Sequence, residues 1–319
     1  MKVTIERIIN EFDTAGSFLV TAHENPDGDA VGSALALACT LKRLGKDVTI
    51  YFCDPLPELY AFLPLAGEAV TAIPSRDFDV CVVLDVGEFR RAGDELVNFQ
   101  GIGKFINIDH HLECDRFGDL NLIDPDACAT GALVYRIIKA AGYGIDFDTA
   151  LCIYTAVITD TGSFRYSNAN PEAFAIAAEM VAHGVNAWSV SEKLYESQPR
   201  KRLELLACAL ATLQVSHRGD IASVTVTSDM YERTGTTAEL TDGFVNYPRS
   251  IRGVEVALFF REVNSGQVKV GFRSKGKVDV SKLAAVFGGG GHHNAAGCTI
   301  AGTVDEVREK VFSRLELVM

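Results

Sequence analysis

Phe105-Ile106-Asn107-Ile108-Asp109-His110-His111 is a short apolar run, rich in isoleucine, that stops abruptly in three side chains able to bind metal or move protons. A run of this kind reads as a buried strand. Two other runs end the same way. Phe18-Leu19-Val20-Thr21-Ala22 delivers His23, with Asp27 and Asp29 close behind, and Val80-Cys81-Val82-Val83-Leu84 delivers Asp85. In an open parallel sheet, ligands sit just beyond the carboxyl ends of the strands. Three strands finishing in carboxylate or imidazole therefore predict one metal site at one edge of one sheet.

The surrounding chain supplies the sheet. A lead-in helix over residues 1–16 precedes the first strand. Asp27-Gly28-Asp29 reads as a sharp turn that points both carboxylates at one spot. A helix follows from about Ala30 to Leu44, with Lys42 and Arg43 in its last turn and Gly45 just past its end. A strand over Asp47–Phe52 continues the βαβ grammar through 80–85 and 105–109. Apolar spacing over 148–160 predicts a helix that ends in Asp160, a fourth acid with access to the site. Helices over Ala132–Ala141 and 171–183 complete this half.

Composition shifts near 186–202, where Ser189, Ser191, Ser197, Gln198 and Pro199 precede Arg200-Lys201-Arg202. The reading is a first domain over 1–186, a linker and helix over 187–206, and a second domain over 207–319. In the second, strands over Ile221–Thr227 and Glu255–Arg261, a turn at Asn264-Ser265-Gly266 and a returning strand over Gln267–Arg273 predict a smaller α+β domain with a mostly antiparallel sheet. Thr303-Val304-Asp305-Glu306 reads as a capping box opening the last helix.

The bulk properties narrow the function. The 319 residues are 48% hydrophobic and 23% charged, normal for a globular protein with a sizeable core. The net charge of −12 argues against a broad grip on long duplex nucleic acid. It leaves room for a small phosphorylated substrate, and bound divalent cations would offset part of it. No apolar run suggests a membrane span, and the N-terminus lacks a signal-peptide build. The eight scattered cysteines form no Cys-x-x-Cys pair and read as reduced residues of a cytoplasmic protein.

Aspartates and histidines drawn from several element ends suit two divalent ions, with imidazole shifting preference from Mg²⁺ toward Mn²⁺ or Co²⁺. Such a pair can activate water and clamp a phosphoryl group. In the second domain, Gly288-Gly289-Gly290-Gly291 lets backbone N–H groups approach a phosphate, and His292 adds a donor. Arg273 offers a planar fork, with Ser274, Lys275, Lys277 and Arg261 making the region locally basic.

Each piece alone is ordinary; the set is not. His23-x-x-x-Asp27-x-Asp29, Leu84-Asp85, Asp109-His110-His111 and Asp160, within residues 16–166, resemble the DHH phosphoesterase superfamily. Arg273-Ser274 and Gly289-Gly290-Gly291-His292-x-x-Ala295-Ala296-Gly297 resemble its DHH-associated C-terminal domain, and the nearest group is that of the bifunctional oligoribonucleases and pAp phosphatases, pAp being 3′-phosphoadenosine 5′-phosphate. The resemblance implies one metal on His23, Asp27 and Asp85, and another on Asp29, Asp85, His110 and Asp160. It assigns Asp109 to orienting a histidine, His111 to the reacting phosphate or the leaving oxygen, and His292 rather than His293 to the substrate. It implies hydrolysis of very short RNA or DNA oligonucleotides and of nucleotide bisphosphates, with an interdomain cleft limiting substrate length; a homodimer is the assembly considered. Competing readings are a cyclic or linear dinucleotide phosphodiesterase, an inorganic pyrophosphatase, and a nucleotide-binding module without catalysis.

Overall fold

The computed structural model describes residues 1–264 and 266–315, and the side chain of His292 lies outside the description, as does Ser265 of the expected turn. The chain forms two compact units, Met1–Ser197 and Gln198–Met319. The division falls inside the 187–206 segment. Val190 and Leu194 join the first core, whereas Leu205 and Leu206 pack in the second unit.

In the first unit the order is α1 (Lys2–Thr14), β1 (Ser17–Thr21), α2 (Gly28–Arg43), β2 (Asp47–Ile50), β3 (Phe78–Leu84), α3 (Asp94–Asn98), β4 (Ile102–Asp109), β5 (Leu120–Ile123), α4 (Thr130–Ala141), α5 (Phe147–Asp160), α6 (Pro171–Ala182) and α7 (Ala187–Ser191). The five strands form a parallel sheet ordered β2-β1-β3-β4-β5. The sideways order in which strands are added reverses between β1 and β3, which makes their carboxyl ends a natural ligand crevice. Phe18, Val20, Val82, Ile106 and Ile108 pack toward one main core, while Leu19, Cys81 and Val83 belong to a smaller one with Tyr51 and Leu96. The alternation along β1 and β3 follows from side chains switching faces at each residue.

Helix α2 is buried on every side from Gly28 to Leu41. It begins two residues earlier than its sequence suggests, because Asp27 caps it by accepting from the amides of Asp29 and Ala30. Gly28 consequently serves close approach rather than a turn: a Cβ there would lie 2.4 Å from Thr159 Oγ1 of α5. One turn on, a Cβ at Gly32 would lie 2.7 Å from the Cys152 carbonyl oxygen. Small residues four apart thus let α2 and α5 meet nearly backbone to backbone.

The second unit runs α8 (Arg200–Leu210), β6 (Gln214–Val215), β7 (Ile221–Val226), α9 (Ser228–Thr234), α10 (Asn246–Arg249), β8 (Val256–Asn264), β9 (Gln267–Ser274), α11 (Val280–Val286), β10 (Gly290–His292), β11 (Ala295–Ala301) and α12 (Val304–Leu315). Its sheet is ordered β10-β11-β9-β8-β7-β6, and only β7 and β8 pair in parallel. That pairing follows from the long crossover through α9 and α10, since parallel neighbours cannot be joined by a hairpin. The capping box is formed: Thr303 N donates to Glu306 Oε2 (2.9 Å) and Glu306 N to Thr303 Oγ1 (3.3 Å). None of the eight cysteines is in a disulfide. Among the described residues no helix is long and apolar enough to cross a membrane.

Candidate metal centre

The carboxyl end of the first sheet gathers His23, Asp27, Asp29, Asp85, Asp109, His110, His111 and Asp160. His23 follows β1, Asp85 follows β3, and Asp109 is the last residue of β4. Asp27 and Asp29 flank the start of α2, and Asp160 is the last residue of α5. The donors form three sets: His23, Asp27 and Asp85; Asp29, His110 and Asp160; and Asp85, His110 and His111. Asp85 joins them. Its Oδ2 lies 3.5 Å from His23 Nε2, and its Oδ1 lies 3.7 Å from His110 Nε2. His23 Nε2 is also 3.9 Å from Asp27 Oδ1, and His110 Nε2 is 3.6 Å from Asp29 Oδ2 and 3.8 Å from Asp160 Oδ2.

These separations exceed a hydrogen bond. The donor atoms of each set nevertheless lie close enough together to hold a shared ion. The ring tautomers agree. His23 Nδ1 donates to the Glu24 carbonyl (2.7 Å) and His110 Nδ1 to the Ala127 carbonyl (3.1 Å), so Nε2 is the nitrogen each ring turns inward, able to bind metal once its proton is lost. The carboxylates are also held from behind. Asp29 accepts from the amides of Thr130 (2.6 Å) and Gly131 (2.9 Å) at the start of α4. Thr130 Oγ1 donates to Asp85 Oδ1 (3.0 Å), and Asn168 Nδ2 to Asp160 Oδ2 (2.8 Å). The residue set fits divalent metal.

Charge crowding supports the same reading. Burial first, and then the charge on Asp85, push Asp29 well above the usual carboxylate range. Burial also pushes Asp160 up to about 6, with His110 opposing and Asp27 adding to the rise. For Asp85 burial acts upward too, but His23, His111 and His110 outweigh it and hold the carboxyl below its usual range. Burial lowers the affinity of His23 and His110 for a proton, yet the facing acids win and raise them to about 9 and about 10. Without metal the site thus gathers protons where cations belong. Asp85 holds φ at +60°, a left-handed value that few non-glycine residues adopt and that sets its carboxylate between the two flanks.

Asp109 and His111 form a separate dyad. His111 donates to Asp109 Oδ1 through its backbone N (3.1 Å) and through Nδ1 (2.6 Å). Asp109 is fully buried, and His111 Nδ1 is 3.6 Å from Asp85 Oδ1.

The other sequence candidates belong to the second unit. Arg273 pairs in register with Ala295, which faces His292 on β10. Ser274 is buried, with Oγ 3.0 Å from Asn294 Oδ1 and its amide donating to the Asn294 carbonyl. His293 Nε2 donates to the Gly276 carbonyl (3.0 Å), so that ring ties the β10–β11 turn to the segment that follows β9. Two glycines are needed for packing: a Cβ at Gly289 would lie 2.1 Å from the Gly297 carbonyl oxygen, and one at Gly291 2.4 Å from that of Ala295. Gly290 faces open space. Arg261 stands apart. It lies four residues along β8 from Ala257, the partner of Arg273, or roughly 13 Å at strand spacing. It donates to the Ala238 carbonyl (3.2 Å) and Thr241 Oγ1 (3.4 Å).

Comparison with known proteins settles the family. The DHH family N-terminal domain matches residues 17–157, and the DHHA1 domain matches 221–317. A Thermus thermophilus protein, the "bifunctional oligoribonuclease and PAP phosphatase NrnA", is 35% identical over 300 residues, 93% of this chain and 88% of the relative. The chain belongs to the DHH family. It is accordingly a phosphoesterase, a hydrolase of a metal-dependent family. This DHH phosphoesterase is also 29% identical to the Bacillus subtilis protein of the same name over 94% of its own length and 93% of the relative's. A solved structure from Bacteroides fragilis, described as an exopolyphosphatase-related protein, superposes with a TM-score of 0.92 at 30% identity, covering 98% of this chain and 95% of that one.

Sequence reasoning missed the layer behind the donors. Thr130 carried one weak signal, a Thr two residues ahead of the helix expected over Ala132–Ala141. Asn168 carried none, because its partner is fixed only by the return of the chain past α5.

Proposed function

We propose that this DHH phosphoesterase uses two divalent ions, Mn²⁺ preferred, to hydrolyse very short oligonucleotides to 5′-mononucleotides and to convert 3′-phosphoadenosine 5′-phosphate to AMP. The observation that carries the two-ion reading is Asp85, whose two oxygens face different histidines, His23 on one side and His110 on the other. The names of the two curated relatives support the substrate classes.

The ions, when bound, supply Lewis-acid polarisation of the phosphate and lower the pKa of water at the site. His23, Asp27 and Asp85 would hold one; Asp29, Asp85, His110 and Asp160 would hold the other. Four aspartates against four positive charges leave a near-neutral centre that admits a phosphate anion. Water adds to phosphorus as the bond to the leaving ribose oxygen breaks. His111 gives that oxygen a proton, and Asp109, bonded to His111 Nδ1, fixes the ring's tautomer and aim. In the second unit, Arg273 and backbone amides of the Gly290–His292 strand are the groups that would hold a phosphate; the Gly289 amide is already spent on the Ala284 carbonyl (2.9 Å). Ser274 supports that turn through Asn294.

The test is a substrate panel with purified protein and Mn²⁺: a dinucleotide, a 5-mer, a 24-mer, pAp and inorganic pyrophosphate, with products separated by chromatography. Rapid cleavage of the dinucleotide and of pAp, and slow cleavage of the 24-mer, is expected. Inertness toward both the dinucleotide and pAp rejects the proposal.

A further inference from the structure

The carboxyl ends of β3 and β4 are stitched together by a segment that no motif marks, Glu113–Asp115. The Asp115 amide donates to the Gly87 carbonyl (2.7 Å). A Cβ at Gly87 would lie 3.2 Å from the Glu113 carbonyl oxygen and 3.7 Å from the His111 ring. Cys114 sits at the crossing. Its sulfur accepts from Asn107 Nδ2 (3.4 Å), and the Asp115 and Val86 carbonyl oxygens lie 3.4 and 3.6 Å away. Asn107 is fully buried and also donates to the Asp115 carbonyl (2.9 Å), which fixes its amide.

Asp109 shows why this matters. Its Oδ1 is taken twice by His111, while its Oδ2, buried, meets no donor at hydrogen-bonding geometry among the described residues. A buried carboxylate oxygen without a donor is costly. Asn107 and Asp109 are two apart on β4 and share a face, so the thiol bonded to Asn107 lies beside the Asp109 carboxylate. Burial and then the Asp109 carboxylate push that thiol up to about 12, so it keeps its proton at neutral pH. A thiol has one proton to give, and an ionised carboxylate is a stronger acceptor than a peptide carbonyl.

We infer that Cys114, steadied by Asn107, is a positioning residue for the hydrolysis: its S–H turns to Asp109 Oδ2 and locks the carboxylate that aims His111. The inference rests on the proposed role of His111 as proton donor. Asn107 would then fix the sulfur, the sulfur the carboxylate, and the carboxylate the ring.

The experiment compares wild type, Cys114→Ala and Cys114→Ser, loaded with Mg²⁺ for spectroscopy and Mn²⁺ for kinetics. Cys114→Ala is expected to lower kcat on a dinucleotide about ten-fold, with KM, metal content and thermal midpoint nearly unchanged. Cys114→Ser, which keeps a donor, restores most of the rate. In parallel, the downfield Nδ1–H proton resonance of His111, identified by its loss in His111→Gln, shifts in Cys114→Ala and returns in Cys114→Ser. Wild-type kcat in Cys114→Ala, or a Cys114→Ser protein as slow as Cys114→Ala, overturns the inference. The same holds for a resonance that does not respond. An inert wild-type protein whose resonance does respond would refute the proposed function alone and leave the positioning contact standing.

Discussion

Replacing Gly28 with alanine should damage catalysis far more than stability. The new methyl group would sit 2.4 Å from Thr159 Oγ1, 2.5 Å from Cγ2 and 2.6 Å from Cβ. Ordinary carbon contacts need about 3.5 Å, so α2 and α5 must part by about 1 Å. Rotating Thr159 brings no relief, because its own Cβ is among the clashing atoms. Overpacking of this kind costs about 1–3 kcal/mol, while exchanging glycine for alanine in a helix returns up to about 1 kcal/mol. The net loss of about 0–2 kcal/mol should lower the thermal midpoint by no more than about 8 °C, at about 2–4 °C per kcal/mol. The neighbours of the two clashing residues are Asp29 and Asp160, which both face His110. A 1 Å displacement of reacting groups costs about 100-fold in rate. The assay is Mn²⁺-dependent dinucleotide turnover, with metal content and thermal melting measured on the same samples. Gly67→Ala is the control, since a Cβ there meets nothing within 4 Å. A Gly28→Ala protein within about three-fold of wild-type kcat, with full metal content, would refute the reasoning.

Asp85→Asn should reduce bound Mn²⁺ below two per chain and lower turnover by more than about 100-fold, because losing even an outer partner of a metal ligand costs about 10–100-fold; elemental analysis and kinetics check it. His111→Gln should lower kcat by about 100- to 10,000-fold with metal content unchanged, as expected for a lost general acid. Metal uptake by chelator-treated protein at pH 7 should release protons, since His23 and His110 are raised to about 9 and about 10 in the metal-free site and must give up Nε2–H to bind. Titration calorimetry in buffers of differing ionisation enthalpy reads that number. The linked stability has a definite sign. The two histidines stabilise the metal-free fold fully below pH 6.5, and that contribution is lost as pH rises through about 9 and 10, so its thermal midpoint should fall across that window.

The donors were legible in the sequence because each lies at the end of an element that local pattern defines. Apolar runs closed by His23, Asp85 and Asp109 needed only strand periodicity, and Asp160 only helical spacing. Features that depend on long-range packing were not legible. Gly28 reads locally as a turn residue between two acids, and only the approach of α5, 131 residues later, reveals it as a contact point. Arg261 reads as part of a basic cluster by composition, whereas strand register carries it away from Arg273. The glycine tract reads as a phosphate cradle, yet Gly289 and Gly291 are also demanded by their closeness to β11. The parallel pairing of β7 with β8 was hidden for a related reason. Its crossover contains helices too short to stand out by periodicity.

The left-handed backbone at Asp85 also limits how this centre can change over evolutionary time. At φ +60° only glycine, asparagine and aspartate are readily accommodated. Of these, aspartate alone carries a negative charge and two oxygens able to reach both flanks. Glutamate, the usual conservative exchange, meets a conformational penalty before its longer side chain is even considered. The position therefore has no neutral neighbours in sequence space, and drift at the heart of the cluster is blocked by the main chain as firmly as by the chemistry.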